Sequence, residues 1–114
     1  GQMTRHYAPS HTQLLLFDPQ KLIEAWQSKM PLLLRAETQN RLMHELGPRP
    51  LNSLTFQMPD SPQDYGHALY DVFYQIEASG LAEVGIEDLA PTSHLSPWWA
   101  IQDRILRACS KASN

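Results

Sequence analysis

The run Leu14-Leu15-Leu16-Phe17-Asp18-Pro19-Gln20-Lys21-Leu22-Ile23-Glu24-Ala25-Trp26 changes its hydrophobic period once, at Asp18-Pro19. Leu14 to Phe17 is a continuous apolar run too short for a helix, and it reads as a short buried strand. Aspartate accepts backbone N–H bonds at a helix start, and proline needs no donor at the first helical position. The helix that follows places Leu22, Ile23, Trp26 and Met30 on one face, and Pro31 closes it. A buried strand leading directly into an amphipathic helix is the first half of a βαβ unit.

Working toward the C-terminus, the same alternation recurs. Leu32-Leu33-Leu34 is a second short apolar run, and Thr38 to Leu46 a second helix with Leu42, Met43 and Leu46 inward. Gly47 caps it, and Pro48 and Pro50 forbid continuation. Leu51 to Met58 reads as a third strand, with Leu54, Phe56 and Met58 on one face by alternation. The strongest helix follows. Ser61 caps it, Pro62 starts it, and Tyr65, Leu69, Val72, Phe73 and Ile76 form its apolar stripe, which Gly80 ends. Val84 to Ile86 is a fourth strand. After a loop, Ser96-Pro97 opens a last helix with Trp98, Ile101, Ile105 and Ala108 on one side. This order predicts an α/β fold: a Rossmann-like three-layer sandwich with a mainly parallel sheet of four to five short strands and about four helices.

Composition narrows the function classes. At 114 residues the chain is one domain by the usual ~100–200 residue range. With 42% hydrophobic and 18% charged residues it is globular and not a disordered tail. The net charge of −3 argues against a surface built for phosphate backbones, and DNA is not an expected partner. One cysteine, Cys109, excludes an internal disulfide and a cysteine-based zinc site. No apolar run approaches the ~18–20 residues that span a bilayer, and no leader resembles a signal peptide. The expected compartment is the cytosol, with no membrane partner.

No residue pattern identifies a self-contained enzyme. The five glycines form neither GxGxxG nor GxxxxGK[ST], so the usual nucleotide-binding loops are missing. No two of His6, His11, His44, His67 and His94 have the HxxxH spacing that puts two imidazoles on one helix face. No metal site is expected. There is no GxSxG nucleophile elbow. Asp18 and Glu87 stand at strand ends, near Ala36, where open α/β sheets place ligand-binding groups. For Asp18 the competing reading is a helix N-cap. Trp98 and Trp99 point about 100° apart on a helix, so one can enter the core while the other lies at the rim. Trp99 is therefore a candidate interface residue. Arg104, Arg107 and Lys111 share a face of the same helix. They complement its dipole, or they contact a partner.

The first residues, Gly1-Gln2-Met3-Thr4-Arg5-His6-Tyr7-Ala8-Pro9, show no helical or strand period and read as a linker or arm. Residues 1–12 are assigned to it and 13–114 to the domain. An opening of this kind leads to the expectation that another domain precedes it. No packing scheme absorbs His6-Tyr7: the pair clips onto the domain's own surface or contacts a partner.

Gly1-Gln2-Met3 followed by His6-Tyr7-Ala8-Pro9 resembles the interdomain linker of the two-domain L-threonylcarbamoyladenylate synthases. Tyr65, Leu69-Tyr70, Gly80, the Ile86-Glu87 strand end, Ala100-Ile101 and Asp103-Arg104 stand where that family's C-terminal domain has similar residues. The similarity covers essentially the whole chain. It implies a parent enzyme that joins threonine, bicarbonate and ATP, with Mg²⁺, into threonylcarbamoyl-AMP for tRNA modification. The chemistry would belong to an N-terminal YrdC-type domain. This chain would be its noncatalytic accessory domain, with no cofactor of its own. His6, Tyr7 and Pro9 would close over the catalytic domain's nucleotide pocket, and water exclusion protects a labile carbamoyl adenylate. Two positions depart from the family's pattern: Tyr74 and Glu77 stand where an Arg and an Asp are common. The competing readings are a small-molecule sensor using the strand ends, and an adaptor for tRNA or another tRNA-modification protein using the last helix.

Overall fold

A computed structural model describes residues 8–112. Four strands and four helices alternate: β1 (Gln13–Phe17), α1 (Pro19–Trp26), β2 (Leu32–Arg35), α2 (Ala36–Leu46), β3 (Thr55–Met58), α3 (Pro62–Ser79), β4 (Glu83–Glu87) and α4 (Trp99–Ala112). The sheet is parallel throughout, in the order β1-β4-β2-β3. α1 and α2 carry the chain across the sheet in one direction, and α3 returns it. Crossovers of one hand that run in opposite directions must lie on opposite faces. The packing obeys this. Leu22, Ala25, Trp26 and Leu42 join Phe17, Leu32 and Leu34 in one core. Tyr65, Leu69, Phe73, Ile76, Ile101 and Ile105 join Leu14, Leu33, Met58, Val84 and Ile86 in the other. The expected three-layer α/β/α sandwich is what forms.

Position in the sheet explains the composition of each strand. β2 is covered on both faces, and Leu32, Leu33 and Leu34 are all fully buried. A strand buried on both faces reads as an unbroken apolar run. β4 is also central, and Gly85 lies where the Phe17 ring crosses it; a Cβ there would overlap the ring. Glycine in a central strand marks this kind of close approach.

Local signals place the helix starts. Asp18 accepts from the Lys21 amide at 2.8 Å and Ser61 from the Asp64 amide at 3.1 Å, each ahead of a first-turn proline. Gly80 ends α3 in the left-handed conformation, with φ of 66°. Three expectations need correction. β3 begins at Thr55 and not at Leu51, because Leu51-Asn52 forms a turn with Asn52 at φ 69°. Leu51 is 84% exposed and Leu54 40%, so only Phe56 and Met58 carry the inward face. α1 stops at Trp26, short of Pro31, and Met30 reaches the core from beyond the helix. α2 starts two residues early, at Ala36, and Met43 is turned outward.

The early end of α1 has a cause that local sequence does not show. The Arg49 guanidinium donates to the carbonyls of Ala25, Trp26, Ser28, Met30 and Leu54 and to the Thr55 hydroxyl. It lies 5.6 Å over the Trp26 ring, whose Nε1 donates to the Gly47 carbonyl at 2.8 Å. Carbonyls at a helix C-terminus lack intrahelical partners and favour a cation. Arg49 supplies both charge and donors, and partial desolvation lowers its pKa. Arg49→Ala is expected to cost about 2–4 kcal/mol, because several partly buried carbonyls lose their donor together. Urea unfolding measures it. Arg49→Lys should recover less than half, since a point ammonium cannot reproduce the guanidinium fork.

Candidate functional site

A parallel sheet brings every strand's carboxyl end to one edge. Here that edge carries Asp18 after β1, Glu87-Asp88 at the end of β4, Arg35-Ala36 after β2 and Asp60 after β3. Asp18 and Glu87 are neighbours by register, since Phe17 pairs with Glu87. Both are engaged internally. Asp18 caps α1. Glu87 is 4% exposed, and its Oε1 accepts from the Arg35 amide at 3.0 Å. Its Oε2 accepts from Arg35 Nη2 at 2.6 Å, Arg35 Nε at 3.2 Å and Thr38 Oγ1 at 2.6 Å. The Arg35 side chain is 24% exposed, and its bond to Glu87 raises its pKa above the usual value. The Asp60 carboxylate accepts from the Glu37 amide at the start of α2. Asp88 Oδ1 accepts from the Ala90 amide and from Gln102 Nε2. These carboxylates serve as fixed acceptors, which is a structural use of charge.

The network extends into α3 and α4. Arg35 lies 5.5 Å over the Trp98 ring, and Trp98 meets Tyr65 edge-on at 5.4 Å. Thus Trp98 goes inward, while Trp99 stays 47% exposed beside His94. Tyr65 is fully buried, its hydroxyl has no partner, and burial drives its pKa far above the phenol range. Burial also pushes the Cys109 thiol up to about 11, so at neutral pH it is protonated and weakly reactive.

The candidate interface residues on α4 do not gather. Arg104 turns into the seam with α3, donating to the Gly66 carbonyl at 3.2 Å and lying 5.2 Å over the Tyr70 ring. Arg107 is exposed and paired with Asp103 at 2.9 Å. Trp99, Gln102, Asp103 and Leu106 line a shallow groove of about 80 Å³. That is well below the ~300–1,000 Å³ of typical ligand pockets. Among the described residues, no group of three His, Cys, Asp or Glu could hold a metal ion. Among them also, no helix is long and apolar enough to cross a membrane.

His6 and Tyr7 lie outside the described residues. Pro9 is described and is buried, as are Ala8 and Thr12. Ala8 joins the core beneath α3 and α4. Thr12 Oγ1 donates to the Leu81 carbonyl at 2.7 Å. Between them, the Ser10 amide and hydroxyl donate to Glu77 on α3, at 3.0 and 2.9 Å. Sequence reasoning singled out neither Arg35, Thr38 nor Ser10. A charged residue directly after Leu32-Leu33-Leu34 was the one available signal, and it names no partner.

Residues 1–110 match the family model described as threonylcarbamoyl-AMP synthase, C-terminal domain. The match spans nearly all of the chain, and the chain belongs to that family. Neither the curated proteins nor the solved structures returned a significant match.

The Glu87 network makes an asymmetric prediction. Arg35→Met alone should cost about 3 kcal/mol, because it strands a buried carboxylate; the partial exposure of Arg35 sets the low end of the usual range. Arg35→Met combined with Glu87→Met should cost clearly less than the sum of the single changes. Chemical denaturation of all four forms tests the coupling, and additive costs would remove the pair from its central role.

Proposed function

We propose that this member of the threonylcarbamoyl-AMP synthase C-terminal domain family is a noncatalytic accessory domain. In this reading its arm acts on a YrdC-type catalytic domain of the same enzyme. The observation that carries it is the anchored start of the arm: residues 8–12 are packed and bonded onto α3 and the α3–β4 turn. A segment leaving such an anchor is presented in a defined direction. His6 and Tyr7 would then meet the nucleotide pocket of the catalytic domain, with Pro9 stiffening the approach. Closure over the pocket keeps water from the carbamoyl adenylate formed when ATP, threonine and bicarbonate combine with release of pyrophosphate.

ATP and Mg²⁺ belong to the catalytic partner in this reading. The described residues of this chain do not fit them: the carboxylates at the sheet's edge are held by internal donors, and the α4 groove is too small for a nucleotide. The same bonds weigh against the sensor reading at Asp18 and Glu87. Internal use of Arg104 and Arg107 weighs against a tRNA adaptor on α4. As part of tRNA modification the domain would work in the cytoplasm.

The 114-residue chain alone should show no ATP–pyrophosphate exchange, and exchange by the pure protein would overturn the noncatalytic assignment. In an enzyme carrying both domains, His6→Ala or Tyr7→Ala should lower adenylate formation about tenfold or more, with this domain's melting temperature unchanged. Unaltered kinetics in both variants would remove the gating role.

A further inference from the structure

Residue 77 departs from the family's pattern, and the structure shows what stands there. We infer that Glu77 is a positioning residue for the reaction: it anchors the arm at Ser10 and so sets where the arm can reach. This rests on the gating reading above.

The geometry is two-point. Both donors of Ser10, its amide and its hydroxyl, bind one carboxylate, amide to Oε1 and hydroxyl to Oε2. Paired donors on paired acceptors fix direction as well as distance, and charged acceptors make the stronger bonds. Pro9 has no amide to donate, so Ser10 offers the backbone donor nearest to Tyr7-Ala8 on the domain side. Chain reach turns that point into a constraint. At ~3.6 Å per residue, the residue three positions before Ser10 acts within ~11 Å of it. Glu77 itself is held one helical turn before the end of α3. Its neighbour Ile76 is fully buried, and Gly80 closes the helix. The anchor therefore stands on a rigid element and not on a loop.

Amide hydrogen exchange on the chain, with variant kinetics in an enzyme carrying both domains, tests the inference. Glu77→Ala should speed exchange at the Ser10 amide about tenfold, with Leu69 and Phe73 in α3 unchanged as the folding control. It should also raise KM for ATP about fivefold with kcat held within about twofold. Glu77→Gln, which keeps an acceptor oxygen, should recover part of both. Unchanged exchange at Ser10 in Glu77→Ala overturns the anchor. Faster exchange with normal kinetics, while His6→Ala or Tyr7→Ala impairs adenylate formation, overturns the positioning role and leaves the gating reading intact. Normal kinetics in all three variants overturns both.

Discussion

A carboxylate buried at the carboxyl end of a central strand must be neutralised where it stands, and Glu87 imposes that condition on this fold. Four donors satisfy it, all from the β2–α2 junction. Arg35 has to end β2 beside β4. α2 has to begin at once, so that Thr38 returns within a turn to the same oxygen. The Arg35 guanidinium then forms a lid on Trp98, and Trp98 fixes Tyr65 on α3. One charge thus ties the α1/α2 layer to the α3/α4 layer through the sheet. A slip of β2 against β4 would part Arg35 from Glu87 and strand the carboxylate. Net stability comes mainly from apolar burial, as at Trp26, Phe73 and Leu32 to Leu34, and the ion pair selects the register in which that burial occurs.

The second cation works at the opposite edge. Arg49 gathers the end of α1 and the entries to β2 and β3, near the amino ends of the strands. Both arginines are three-quarters spent on internal geometry, and Arg104 is a third with the same use between α3 and α4. A mildly acidic chain with few cations has little positive charge left for a nucleic-acid surface.

What was legible in the sequence is what local chemistry specifies. Asp18-Pro19, Ser61-Pro62 and Gly80 each act within a few residues, and the α3 stripe needs only its own period. Leu51 misled because alternation was extended back through Leu51-Asn52, where a left-handed residue turns the chain. Arg49 lies in a loop and binds residues about 20 positions earlier. Arg35 and Glu87 are separated by 52 residues, and Ser10 and Glu77 by 67. Period and spacing cannot name such pairs; topology creates them. The residues that carried the family resemblance are themselves internal. Tyr65 and Glu87 meet in the edge network, Gly80 caps α3, Ile101 is core, and Arg104 lies over Tyr70. They mark how the domain is built, which is why they identify the family without locating an active site.

The two ends of the described arm are held differently, and the difference matters for motion. Thr12 is buried, and its bond to Leu81 adjoins the first ladder bond of the sheet, Gln13 to Ala82. Opening it would disturb β1. The Ser10–Glu77 bonds face solvent. Water replaces such bonds at low cost, about 0.5–1.5 kcal/mol each for an ordinary bond and somewhat more with a charged acceptor. Local opening in proteins follows this gradient of cost. The arm therefore has its pivot between Ser10 and Thr12. The portion before it can leave α3 while the sheet stays intact, and the Glu77 carboxylate remains on its helix to recapture it.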